Sequence, residues 1–276
     1  MTDLIYLLVL AGTGLLVGVL SGLLGVGGGF IMVPIQFSLF LSLGIPEDLA
    51  LRLSFGTSLA VILPTVVSGA LGHHRKGAVV WRAGVLLGLS SLTGAVVGAF
   101  IATHLPAAPL EIFFGLIVIA AGARTYLSSP EGEAGGAPLV STRTCLLWGL
   151  PVGLVSGLSG IGGGVLLVPI LVVVMHFGMR HAVATSMVVM IFTASGGIVS
   201  YMLNGLGVPG LPPTAVGYVD LLQAAVLAAA SIPAAQVGAV MAHHVPQQFL
   251  KYAFVALTVF LGLKMIGVFS FLGIPL

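Results

Sequence analysis

The sequence predicts an all-α polytopic membrane protein, with about ten transmembrane segments in two inverted-topology repeats. Three observations lead there. The chain is 58% hydrophobic and only 6% charged, where soluble domains carry roughly 25% charged residues, and its mean hydropathy is +1.22. A glycine-rich stretch, Gly22-Leu23-Leu24-Gly25-Val26-Gly27-Gly28-Gly29-Phe30-Ile31-Met32-Val33-Pro34, returns as Gly157-Leu158-Ser159-Gly160-Ile161-Gly162-Gly163-Gly164-Val165-Leu166-Leu167-Val168-Pro169. Further paired residues keep the same order in both halves.

Apolar runs bounded by glycine, proline or charge give ten segments, near 4–24, 30–44, 49–72, 79–103 and 108–127, then 142–158, 165–178, 181–204, 217–242 and 247–272. The first, preceded only by Asp3 and lacking a small-residue cleavage pattern, reads as a membrane segment and not as a secretory leader. A full span needs about 20 apolar residues. Most segments reach that length. Those just after each glycine cluster, and the one before the second cluster, are shorter and read as short tilted spans or as half-helices.

The repeat is in register over most of its length. Gly25 and Gly160 are 135 residues apart, as are Pro34 and Pro169; Arg52, Thr57 and Ser58 precede Arg180, Thr185 and Ser186 by 128; Gly98, His104 and Pro106 precede Gly238, His244 and Pro246 by 140. The spacing changes at a longer turn around residues 44–48 and at an extra Pro/Gly loop, 205–213, and turns tolerate such changes. This divides the chain into a first transmembrane repeat, 1–127, a cytoplasmic linker, 128–141, and a second repeat, 142–276.

Five segments per half would send the second copy into the membrane upside down. Counting ten crossings places Arg75, Lys76, Arg82, Arg124, Arg143, Arg180 and Lys251 on one side, and only Arg52 and Lys264 on the other. Basic residues favour the cytoplasmic side, so the N-terminus is expected outside a plasma (inner) membrane. If each glycine break joined two half-helices into one crossing, there would be eight spans and a weaker bias.

Glycine costs about 0.8–1.0 kcal/mol per residue relative to alanine in a helix interior, so two glycine triplets in apolar segments predict two deliberate breaks. A helix that starts after a break offers bare N–H groups and the positive end of its dipole, which suit an anion. Matching interruptions in two halves are a pointer to a transporter's binding site. The candidate substrate-binding residues are therefore Gly27, Gly28 and Gly29 with Gly162, Gly163 and Gly164. The serine that opens each motif, Ser21 or Ser156, joins them, as do the hydroxyl pairs Thr57-Ser58 and Thr185-Ser186. Close packing of small residues and hydrogen bonding between helices are the competing roles. Arg52 and Arg180, near helix starts, are candidates for attracting anions at the two mouths, with interfacial snorkelling as the alternative.

His104 and His243-His244 end equivalent segments and read as C-terminal caps; His73-His74-Arg75-Lys76 reads as the cytoplasmic anchor of a span. The seven acidic residues fall in loops or at segment ends, so no mid-span carboxylate marks proton or cation handling. The lone Cys145 excludes an internal disulfide and a cysteine-rich metal site. No cofactor, metal, nucleic acid or enzymatic chemistry is expected. Gly25-Val26-Gly27-Gly28-Gly29 resembles part of a dinucleotide fingerprint but lacks its βαβ context. Gly157-Leu158-Ser159-Gly160 fits the surroundings of an intramembrane protease serine, yet its repeat partner is Leu24 and no histidine is placed as its base.

The doubled glycine motif at 22–34 and 157–169, with Gly56-Thr57-Ser58 and Ala184-Thr185-Ser186, resembles the sulfite exporter TauE/SafE family over nearly the whole chain. The resemblance implies a prokaryotic or plant-type permease for sulfite, sulfoacetate, thiosulfate or related organosulfur anions. The expected function is a secondary transporter of a small sulfur-containing anion, whose partners are that anion, the lipid bilayer and a coupling ion if there is one. An anion channel of the same fold, an intramembrane hydrolase using Ser159 and a purely structural subunit are the alternatives.

Overall fold

The computed structural model describes residues 3–127, 141–241 and 247–268. All but the last residue of the predicted linker, and the predicted caps His243 and His244, lie outside them. Ten α-helices are present among the described residues: α1 (Asp3–Leu24), α2 (Gly29–Ser42), α3 (Glu47–Arg75), α4 (Trp81–His104), α5 (Ala107–Leu127), α6 (Thr142–Ser159), α7 (Gly164–Pro169), α8 (Met179–Asn204), α9 (Leu221–Met241) and α10 (Gln247–Met265). They follow the ten apolar segments closely. Six of them, α1, α3, α4, α5, α8 and α9, contain a stretch long and apolar enough to cross a membrane. The expectation of about ten transmembrane segments is thus met only in part. α2, at 14 residues, is roughly 21 Å long against a hydrocarbon core of about 30 Å.

Two local departures have physical causes. α7 runs directly into a single π-helical turn, Ile170–Val174, just after Pro169, whose missing N–H and bulky ring disturb the regular ladder. The segment expected to be helical from 217 instead starts as a two-stranded ribbon, β1 (Ala215–Val216) and β2 (Val219–Asp220), and α9 begins only at Leu221. Gly217 turns the ribbon at φ +58°, and the Asp220 carboxylate caps α9 by accepting the Gln223 N–H at 3.0 Å.

Contacts fix the directions of the helices. α1 and α9 run parallel, with Gly14, Gly18 and Gly22 lying against the carbonyls of Leu227, Ser231 and Ala235 so closely that a methyl group would collide. α6 and α4 repeat this with Gly149, Gly153 and Gly157 on Leu87, Ser91 and Ala95. The Gly-x3-Gly-x3-Gly stripe is plain in the sequence, and it lets backbones touch where lipid supplies no hydrophobic drive. α3 and α8 are antiparallel, Gly56 meeting Tyr201 and Gly69 meeting Met187. α3 is parallel to α9, through Thr65 and Ser231 hydroxyls 2.6 Å apart and Gln236 donating to Ser68 at 3.1 Å. α4 is parallel to α8, where Gly84 packs on Val188 and Ser200 donates to the Val96 carbonyl at 3.0 Å. Each half therefore places its first helix against the fourth helix of the other.

Candidate functional site

Both glycine motifs break the helix. Gly25, Gly27 and Gly28 have φ of +67°, +77° and +76°, and Gly160, Gly162 and Gly163 repeat this at +66°, +83° and +83°. These left-handed angles are nearly free for glycine and unfavourable for other residues. After the first break the chain doubles back. Gly28 packs on Val17, and eight residues on, Gln36 reaches Gln223, which also holds the Tyr6 hydroxyl. α2 thus returns beside α1 toward the end from which α1 came.

The two breaks meet at the centre. A Cβ on Gly29 would lie 2.7 Å from Ile161 Cα, and one on Gly164 would lie 2.8 Å from the Gly25 carbonyl oxygen. The residues from 25 to 29 and from 160 to 164 are all buried. Side chains satisfy carbonyls of this crossing, two of them from the opposite half. Ser186 Oγ donates to Gly25 O at 3.0 Å, Ser58 Oγ donates to Gly160 O at 2.6 Å, and Thr193 Oγ1 donates to Gly162 O at 3.3 Å. Donors are treated differently. Among the described residues, the N–H groups of Val26, Gly27 and Gly28, and of Ile161, Gly162 and Gly163, reach no acceptor.

Ser21 and Ser156 complete the imbalance. Their backbone carbonyls hold the N–H groups of Gly25 and Gly160 at 2.8 and 2.9 Å. Their hydroxyls are buried and have no partner. Ser156 Oγ lies 3.6 Å from the position a Cβ would take on Gly163. Unpartnered peptide donors and hydroxyls beside satisfied carbonyls make a donor-rich cluster in each half. Such an arrangement accepts negative charge, and each bare buried polar group costs about 1–3 kcal/mol until something pairs with it.

The other predicted residues make contacts of their own. Thr57 Oγ1 accepts the Asp220 N–H at 2.9 Å, and Thr185 Oγ1 accepts the Val80 N–H at 3.1 Å. They hold the starts of α9 and α4. Ser58 and Ser186 share their hydroxyl protons between the glycine carbonyls and carbonyls of their own helix, Phe55 O at 2.9 Å and Val183 O at 2.8 Å. Arg52 is half-buried in α3, its guanidinium donating to Leu105 O at 3.1 Å and to Tyr218 Oη at 3.4 Å, whereas Arg180 is exposed at the start of α8. His104 Nδ1 lies 2.8 Å from Phe100 O, the expected capping geometry. Ser159 Oγ donates to Val155 O at 2.7 Å, within its own helix and not to a histidine.

One expectation needs correction. The acidic residues were expected to leave no carboxylate inside the bundle, but Asp220 is only 4% exposed. It stands at a segment end, as read, yet the ribbon it ends lies against α3, where Thr57, remote in sequence, accepts its N–H.

A family model described as sulfite exporter TauE/SafE matches residues 10–265. A protein of Haemophilus influenzae named "Probable membrane transporter protein" is 29% identical over 253 residues, covering 91% of this chain and 95% of that one. One of Methanocaldococcus jannaschii with the same description is 32% identical, covering 68% and 70%. The "Probable membrane transporter protein YunE" of Bacillus subtilis is 29% identical, covering 70% and 77%. No solved structure matches.

Proposed function

The chain belongs to the sulfite exporter TauE/SafE family, and from that premise we propose that it is a secondary transporter of a small sulfur-containing anion such as sulfite, sulfoacetate or another organosulfonate. The observation that carries this reading is the donor-rich crossing of the two glycine breaks. The N–H groups around Gly27–Gly29 and Gly162–Gly164, with the hydroxyls of Ser21 and Ser156, hold the anionic head. Ser58 and Ser186 keep the cradle in shape by binding its carbonyls, and Thr57 and Thr185 anchor the neighbouring helix starts. Arg52 and Arg180 add positive charge near the two mouths.

The helix directions support two inverted repeats. α3 and α8, equivalent by sequence, run antiparallel, whereas joining each break into one crossing would make them parallel. In the inverted arrangement α2 and α7 are short returning helices, and the N-terminus lies outside the plasma membrane, in keeping with the excess of arginine and lysine on the other face. Burial of both breaks favours alternating access over an open anion channel, because a channel needs a continuous wet path. Rocking one half against the other would open the cradle to each side in turn.

Thermal stabilisation of the purified protein across sulfite, thiosulfate, sulfoacetate, taurine, sulfate and chloride tests the site and its selectivity. Wild type should be stabilised by one or more sulfur anions. Ser21→Ala with Ser156→Ala should lose that stabilisation and should lower uptake of the same labelled anion into proteoliposomes. Anion stabilisation and saturable uptake both unchanged in the double variant would remove the serines from the site, and non-saturating flux would favour the channel.

A further inference from the structure

The halves match closely around the glycine breaks but differ sharply in one place. Between α1, α2 and α9 lies a buried polar chain. Gln36 Nε2 donates to Gln223 Oε1 at 3.3 Å, Gln223 Nε2 donates to Tyr6 Oη at 2.6 Å, and the Gln223 backbone N–H donates to Asp220 Oδ1 at 3.0 Å. Gln36 and Gln223 are completely buried, and Asp220 nearly so. By the repeat spacing, the counterparts of Gln36, Gln223 and Asp220 are Leu171, Ala83 and Val80. Leu171 and Ala83 are buried and apolar, so the fold itself does not require a polar chain here.

Two features of this chain are uncompensated. Gln36 Oε1 is buried and accepts no hydrogen bond. The Asp220 carboxylate is held by the Gln223 N–H and by Thr214 Oγ1 at 3.0 Å, but among the described residues it has no cationic partner. The positive end of α9 relieves part of its charge. That relief does nothing for the orphaned amide oxygen. A carboxylate and a bare carbonyl oxygen repel an anion and suit a hard cation, which takes oxygen ligands. A buried carboxylate within a membrane bundle is expected to have such a partner.

We propose that Asp220, Gln36, Gln223 and Tyr6 form a sodium site on the side of the glycine crossing where α1 begins. As a coupling-ion site this rests on the transport reading; as a cation site it stands on the polar chain alone. A cation present on one side of a two-fold arrangement makes the two access states unequal, which coupling to a sodium gradient requires.

The test compares melting of the purified full-length protein in equimolar sodium, potassium and choline chloride. A saturable stabilisation specific to sodium is expected in wild type. It should be lost in Gln36→Leu, which copies the residue at the equivalent position, and in Asp220→Asn, which keeps the helix cap. Equal melting in the three salts overturns the proposal, as does a sodium-specific shift that survives in either folded variant. The wild-type salt comparison decides even if a variant does not fold. Anion uptake driven equally well in choline, with no sodium-specific shift, overturns the sodium site and leaves the transport reading intact. A sodium-specific shift lost in the variants, in a protein that moves no anion, keeps the site and removes the transport reading.

Discussion

Ser58 and Ser186 sit next to threonines in matched motifs, yet each donates across the molecule to a glycine carbonyl of the other half. Removing either hydroxyl strands a buried acceptor. Ser58→Ala and Ser186→Ala should each cost about 1–3 kcal/mol of stability, seen as lower melting of the purified protein. Ser21→Ala and Ser156→Ala are expected to act the other way on stability. They delete hydroxyls without partners, so melting without anion should hold steady or rise slightly, while anion affinity falls. The contrast separates holding the cradle from filling it. Gly29→Ala and Gly164→Ala test the crossing itself. A methyl at either position meets backbone of the opposite break within 3 Å, and overpacking of this kind typically costs about 1–3 kcal/mol. Both variants should melt earlier than wild type.

Helix pairs are held by glycine stripes and by hydroxyls, because packing in lipid depends on close approach and on polar contacts. The α3–α9 pair gives a direct check of the packing between the halves. Thr65 and Ser231 hydroxyl oxygens are 2.6 Å apart. Cysteines at both positions, in a Cys145→Ser background, should form a disulfide on mild oxidation. With a protease site placed in the linker, the cross-linked chain should run as one band after cleavage without reductant and as two with it. If α3 and α9 were not in contact here, the chain would give two bands throughout. The stripe at Gly14, Gly18 and Gly22 was open to reading from its four-residue spacing alone. Its partner helix was not, since Leu227, Ser231 and Ala235 contribute backbone carbonyls, which leave no mark in side-chain pattern.

At the scale of the whole molecule, the halves interlock instead of standing side by side, and the glycine breaks cross where they do so. The inverted arrangement predicts that residues 76 and 210 face opposite sides of the membrane. Single cysteines at Lys76 and Gly210, again without Cys145, should react with a membrane-impermeant thiol reagent from opposite sides in intact cells. Labelling of Gly210→Cys alone from outside fits an external N-terminus. Labelling of both from one side would overturn the inverted topology.

Composition, the ten apolar segments and the paired glycine motifs were determined by the sequence itself. Each depends on local backbone preference or on burial in lipid, and both are written into residue type. Positive φ at Gly25, Gly27 and Gly28, and again at Gly160, Gly162 and Gly163, is the local consequence. Tertiary structure alone decided which atoms remain unpaired. The donors of the glycine turns stay bare because Ser58 and Ser186 reach over from the other half to take the carbonyls. Asp220 is buried because a ribbon folds across α3. Hydrogen-bond partners more than a hundred residues apart cannot be read from a chain in order, and which polar groups they leave unpaired sets where charge can bind.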